Sequence, residues 1–380
     1  MTSHPGIAIS AARSLDPSRL TVGVEEEFLL LDPDSMANVP AAEAVRKALP
    51  AEAWEQSRQE FRHSMIEMVT PVCASLDEVG QQLRQLRRAA AHAADTNGAR
   101  LVAVGATPIA EPCRTITDNP RFRAILDHYG PIVDDPAVCG CHVHVGVPDR
   151  ELAVQVCNHL RPWLPMVQAL TVNSPFHAGR DTGHASWRAM QLDRWPALGP
   201  TPWFASAEHF DRTVEVLVAS GVMLDDSLIL WHARPSATYP TVEVRVADVC
   251  PTVDDTVLLT GLVRALVATA IDDVAGGRAA PPIPDGVLRA AHWNAAHQGI
   301  DGTLLDPRRG QARPAWELVD ELVATVTAAL SRNGDLPLVE ARLARLRRNG
   351  TGANRQRRQY ERTGDLHAVL ADLAHQTVYG

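Results

Sequence analysis

The chain has 380 residues, a formal net charge of −9, 46% hydrophobic and 21% charged residues. That is the composition of an ordinary globular protein long enough to bury a core without staples. Its acidic balance argues against broad nucleic-acid binding, and no apolar run reaches the roughly 18 residues needed to span a bilayer. Residues 1–25 lack the basic start and apolar run of a signal peptide. Lys47 is the only lysine, and no GxxxxGK[ST] loop is present. P-loop chemistry is therefore excluded and Schiff-base chemistry disfavoured. Any bound phosphate must be held by arginines, backbone amides and metal ions.

Residues 1–19 read as a loose leader ahead of a single catalytic domain, 20–380. TVGVEEEFLLLD (21–32) reads as a strand ended by an Asp-Pro-Asp turn, and SMIEMVT (64–70) as a second strand stopped by Pro71. Ser75 and Glu78 form a capping-box pattern for a helix that Asn97-Gly98 closes. LVAVGA (101–106) and CGCHVHVGV (139–147) are further strands. A helix then starts at Asp149 and is interrupted by Pro162 and Pro165. Residues 173–188 form a long polar loop, a helix covers 206–221, and TVEVRVADV (241–249) is a strand. Helical patterns follow over about 252–275, 286–298, 315–331, 336–348 and 365–378, with 276–286 as the linker candidate. Strands early and helices late, without βαβ alternation, predict an α+β fold with a mainly antiparallel sheet.

The chemistry lies in the alternation of the strands, whose successive side chains point to opposite faces. In the first strand Glu25 and Glu27 share a face opposite Val22, Val24 and Phe28. Glu26 falls on the core side and calls for an arginine partner or a bulge, because an isolated buried carboxylate is costly. Glu67 alternates with Ile66 and Met68, His142 and His144 share one face, and Glu243 and Arg245 stand opposite Val242, Val244 and Val246. A solvated sheet face would carry more Lys, Thr, Ser and Gln. Four glutamates with two imidazoles and one guanidinium suit Mg²⁺ or Mn²⁺. Cys139 and Cys141 alternate with the histidines and face the other way, so a Cys₂His₂ zinc site is disfavoured. The six cysteines are scattered, which suits reduced thiols and a cytoplasmic location. The arginine-rich stretch 342–366 invites a nucleic-acid reading, but its helical part reads as a solvated face. The Gly-Thr-Gly-Ala-Asn turn before Arg355, Arg357 and Arg358 reads as an anion site.

Taken in order, GVEEEFLLLDP, SMIEMVTPVC, CGCHVHVGV, NSPFHAGRDTGHASWR, PTVEVRVADV and GTGANRQRR…GDL resemble the carboxylate-amine ligases of the glutamate–cysteine ligase type 2 family, actinobacterial members especially. The resemblance covers about 20–378. It implies a glutamine-synthetase-like fold, with an antiparallel sheet of about six strands curved into a funnel and backed by helices. The implied reaction is ATP-dependent amide formation through an acyl phosphate, with ADP as product and small-molecule acid and amine substrates. The resemblance places Glu25, Glu27, Glu67 and Glu243 at Mg²⁺, with His142 and His144 on the same wall, and His142 named with the metal set. It gives Arg245 to the transferring phosphate. Asn173, Arg180, Asp181 and Arg188 would shape the acid and amine pockets, and Arg355, Arg357 and Arg358 would hold ATP phosphates. His184 and Trp187 stand where the family pattern suggests tyrosines, so the familiar substrates do not follow from it.

Two alternatives stay open on the residues. HxH with carboxylates also suits a zinc-dependent hydrolase, and a catalytically silent nucleotide-binding relative would keep the fold. A homodimer is plausible, and neither a membrane nor a nucleic acid is an expected partner.

Overall fold

The computed structural model describes residues 5–380; residues 1–4 of the expected leader lie outside the described residues. Seven strands form the main sheet: β1 (Val22–Leu31), β2 (Ser57–Arg58), β3 (Met65–Val69), β4 (Arg100–Val102), β5 (Gly140–Gly146), β6 (Ala233–Pro235) and β7 (Thr241–Asp248). Their order is β6-β7-β5-β1-β3-β2, with β4 paired to the second half of β1. Every pairing is antiparallel.

The strand register sets up the site. Glu27 lies opposite Glu67, Glu25 opposite His142, and His144 is flanked by Gly23 and Glu243. Between Val244 and Ala247 the β7–β5 register shifts. Such an irregularity bends the strand and re-aims a side chain, here that of Arg245. On the reverse face Val22, Val24, Val143, Val145, Val242 and Val244 are buried in one apolar cluster with Cys141. Cys139 belongs to a second cluster around Phe28, Leu30 and Ile66.

The principal helices are α1 (Pro5–Ser14), α2 (Leu76–Thr96), α3 (Arg150–Leu160), α4 (Leu164–Thr171), α5 (Val253–Ala275), α6 (Asp285–Gln298), α7 (Ala315–Arg332), α8 (Leu336–Asn349), α9 (Gly352–Thr363) and α10 (Leu366–Tyr379). α5 is apolar and buried around most of its circumference, as a helix at the centre of a core must be. Ser75 and Glu78 make the expected capping box of α2. Glu26 finds the expected arginine: Arg87 of α2 grips it through Nε (2.8 Å) and Nη2 (2.5 Å), while Thr256 of α5 donates to the same carboxylate at 2.6 Å. Among the described residues no helix is long and apolar enough to cross a membrane.

Among the stretches that differ from expectation, three bear on the core and on the expected anion site. The leader folds from Pro5 as α1 and buries Ala8 and Ala12 in the main apolar cluster, because small residues four apart let a helix lie close. A helix over Pro120–Tyr129 was missed, although Asn119 caps it and Pro120 opens it. The segment after Gly350 is no open turn: Thr351 and Asn354 form a capping box that starts α9.

Candidate active site

The polar faces of β1, β3, β5 and β7 meet over the middle of the sheet. His142 Nδ1 lies 3.1 Å from Glu25 Oε2, and His144 Nε2 lies 3.2 Å from Glu25 Oε1. Two donor sets result, each with ligand atoms within 4.8 Å of one another: Glu25, Glu67 and His142, and Glu25, His144 and Glu243. Glu25 belongs to both. Glu27 accepts the Gly140 backbone N–H at 2.5 Å and approaches His142 Nε2 at 4.0 Å, so it borders the first set rather than completing it. The ring of His144 is fixed from behind, with Nδ1 2.9 Å from Thr241 Oγ1. Its Nε2 is buried without an aligned hydrogen bond. A buried ring nitrogen left over in this way beside two carboxylates fits a cation ligand.

The electrostatics point the same way. Burial pushes Glu25 up, but the hydrogen bond with His142, the close approach of His144 and the charge of the two imidazoles outweigh it and hold the carboxyl well below its ordinary range. Burial likewise acts on Glu243. The Arg245 and Arg234 guanidiniums overcome it and bring Glu243 down to about 2. Arg234 donates to Glu243 at 2.9 Å and Arg245 grips the other oxygen. On the β3 side burial dominates. Glu67 is pushed well above its ordinary value by burial and by the charges of Glu60, Glu25 and Glu27. Glu60, hydrogen-bonded to Glu67, is raised to about 8 by burial and by Glu27. Without a cation this crowd of carboxylates is relieved only by protonation, and a divalent ion supplies the missing positive charge. The residues present therefore fit an oxygen-preferring divalent metal.

Above this floor opens a cavity of about 600 Å³. Glu27, Glu60, His142, Arg188, His232 and Arg245 form its polar end, and Phe61, Phe122, Ile125, Trp195 and Leu230 line the apolar wall. Arg188 is buried with Nε unpartnered, and its nearest carboxylate, Asp248, is 3.9 Å away. A guanidinium so weakly satisfied beside a cavity suits a carboxylate from outside. Gly140 makes room for it, since a Cβ there would overlap the Arg188 guanidinium.

Other expected residues lie elsewhere. Asn173 is fully buried and holds the chain together. Its Nδ2 donates to Ala103 O and Val249 O at 2.9 Å each, and its Oδ1 accepts from Gln356 at 2.7 Å. Arg180 and Asp181 sit on an exposed hairpin formed with Phe176–His177, away from the cavity lining. Arg357 of α9 pairs with Asp181 through two 2.8 Å bonds, Arg355 pairs with Asp255 at 2.5 Å, and Arg358 donates to Asn349 O. These contacts tie α9 down, and none of the three arginines lines the cavity.

Sequence reasoning missed Glu60, Arg234, Gln168 and His292, and assigned His232 no role. Glu60 and His232 come from irregular segments with no periodicity to reveal them. Arg234 was legible in principle, in ARPSATYPTVEV, as the hairpin residue facing Glu243.

The mainly antiparallel, helix-backed fold has counterparts among solved structures. Glutamate–cysteine ligase of Francisella tularensis, solved in complex with AMP, superposes with a TM-score of 0.68 at 13% identity over 95% of this chain and 89% of that one. A bifunctional glutathione synthetase from Pasteurella multocida gives a TM-score of 0.67 at 15% identity; 98% of this chain corresponds to 54% of that longer one. At these identities the likeness shows a shared fold. The sequence model of Glutamate-cysteine ligase family 2 (GCS2) matches residues 21–372, and the chain belongs to that family. Relatives named "Putative glutamate--cysteine ligase 2" from Salinispora tropica, and "2-1" from Saccharopolyspora erythraea, are 62% and 49% identical. These matches cover 95% and 94% of this chain, and 96% and 95% of theirs.

Proposed function

We propose that this protein is an ATP-dependent carboxylate–amine ligase that uses Mg²⁺ or Mn²⁺ and releases ADP. The observation that carries the reading is the convergence of Glu25, Glu67, His142, His144 and Glu243 into two adjoining donor sets, with His142 and Arg245 lining the cavity. A free carboxylate is a poor electrophile, and transfer of the ATP γ-phosphoryl group to it creates an acyl phosphate with phosphate as leaving group. Glu25, Glu67, His142, His144 and Glu243 would hold divalent metal, with Glu27 beside them; the metal when bound neutralises charge on the ATP phosphates. Arg245 steadies the transferring phosphoryl oxygens from the irregular part of β7, and its pairing with Glu243 pre-orients it. Arg188 receives the carboxylate substrate, and the apolar wall excludes water that would otherwise hydrolyse the acyl phosphate. The names of the relatives suggest glutamate as the acid and cysteine as one candidate amine. A reducing cytoplasmic setting fits six unpaired cysteines. A zinc hydrolase is less well supported, because carboxylates outnumber imidazoles in both donor sets.

The test is incubation with ATP, Mg²⁺, a panel of amino acids and hydroxylamine, following hydroxamate and ADP together. Hydroxamate with one acid and stoichiometric ADP is expected. Tightly bound zinc with ATP-independent hydrolysis would overturn the reading.

A further inference from the structure

Two histidines outside the metal sets form a hydrogen-bonded pair in the cavity wall. His232 Nδ1 lies 3.2 Å from His292 Nε2, with the rings 4.1 Å apart between centroids. His292 Nδ1 lies 2.6 Å from Gln168 Oε1, and both Gln168 and His292 are almost fully buried. All three line the cavity. The chain of contacts fixes the protons. Gln168 Oε1 can only accept, so His292 carries its proton on Nδ1. Its Nε2 is then a lone pair, so His232 also carries its proton on Nδ1. His232 Nε2 is left as a bare lone pair and makes no hydrogen bond among the described residues. His232 directly precedes β6, its backbone O accepts the Arg245 N–H at 2.8 Å, and it lines the cavity together with Arg188 and Arg245.

The geometry points to His232 Nε2 as the group that accepts the proton lost by the attacking amine, with Gln168 and His292 as positioning residues that fix its tautomer. This rests on the ligase reading above. In the step, the amine nitrogen lone pair forms the C–N bond and the C–O bond to phosphate breaks, its electrons leaving with phosphate. The N–H proton passes to His232 Nε2 and from there to the departing phosphate, which restores the neutral ring. Burial, with the Arg188 and Arg289 guanidiniums, lowers His232 to about 3, and His292 is also held neutral by burial and by its partner. So weak a base does not deprotonate a free ammonium. It takes the proton once bond formation has placed positive charge on nitrogen, and it is never blocked by prior protonation at neutral pH.

The experiment compares two classes of nucleophile against glutamate, ATP and Mg²⁺. Hydroxylamine is a weakly basic nucleophile that sheds its proton readily, whereas L-cysteine and methylamine are more basic amines whose proton is held more tightly. In His232→Gln the ratio of amide product, with the better of the two amines, to hydroxamate falls at least tenfold. Gln168→Leu moves the ratio the same way, and Gln168→Glu, which keeps an acceptor for His292 Nδ1–H, restores it. Long-range ¹H–¹⁵N spectra of the wild-type chain show both rings as Nδ1–H tautomers. An unchanged ratio in His232→Gln, or an Nε2–H tautomer at His232, overturns the proposal. Absence of hydroxamate with wild type and every acid overturns the ligase reading instead, a distinct outcome.

Discussion

Glu25 touches both imidazoles of the floor and belongs to both donor sets, so its loss dismantles both at once. Glu25→Gln keeps volume and hydrogen-bonding reach but removes the charge. ATP-dependent hydroxamate formation should fall by about 10²-fold or more, with the melting temperature nearly unchanged. Retained turnover would remove Glu25 from the metal assignment. Glu243→Gln should be equally inactive but less stable, because Arg234 and Arg245 lose a buried counter-charge whose removal costs on the order of 3 kcal/mol. Glu60 behaves oppositely. Its carboxyl adds to a like-charge crowd, so Glu60→Gln should raise the metal-free melting temperature at pH 8 and shrink the gain that Mg²⁺ gives. A lower metal-free melting temperature would contradict that account. The charged residues on regular strands were legible because a period of two assigns a face from sequence. Glu60 was not, since the loop before β3 has no period and its approach to Glu67 is purely tertiary.

Among elements, β1 shows how one strand serves core and site together. Its inward carboxylate, Glu26, is held by Arg87 of α2 and Thr256 of α5, and Arg87 also donates to Cys250 O at 2.8 Å. The sequence called for an arginine at Glu26 but could not say which of many, because the partner lies 61 residues away on another element. The same blindness explains the arginines of α9. Arg355 and Arg357 read as anion ligands beside glycines, and the sequence gives no sign that α9 packs so as to pair them with Asp255 and Asp181. The close approach of Gly140 to Arg188 yields a prediction at this scale. Gly140→Ala leaves β5 paired, since the overlap falls on side chains: the end of Arg188 must move, and the His142 ring, with Nε2 3.1 Å from the added Cβ, must give by a few tenths of an ångström. The displaced guanidinium should raise KM for the carboxylate substrate roughly tenfold or more, the worth of a charge-assisted hydrogen bond, with little change in melting. An unaltered KM would mean that the acid is held elsewhere.

At the scale of the whole molecule, buried titratable groups set opposing limbs of a stability profile. Glu60 and Glu67 keep protons that the unfolded chain releases, Glu60 up to about 8 instead of 4.5. Between those values the unfolded state binds fewer protons, so metal-free stability falls as pH rises, by up to about 1.4 kcal/mol per pH unit for each group in its window. His142, His232 and His292 are held neutral, His232 down to about 3 from 6.5. Below pH 6.5 the unfolded chain gains protons that the folded one refuses, so stability falls again toward acid. The metal-free protein should therefore melt highest near pH 6.5, where neither limb yet dominates. Mg²⁺ competes with protons for the carboxylates, so saturating Mg²⁺ should flatten the alkaline limb while leaving the share of the acid limb that comes from His232 and His292, which lie outside the metal sets. Thermal melts from pH 5 to 9 with and without Mg²⁺ measure both limbs. An alkaline limb equally steep in both conditions would show that the cation does not bind these acids, and the carboxylates of β1 and β3 would need another counter-charge.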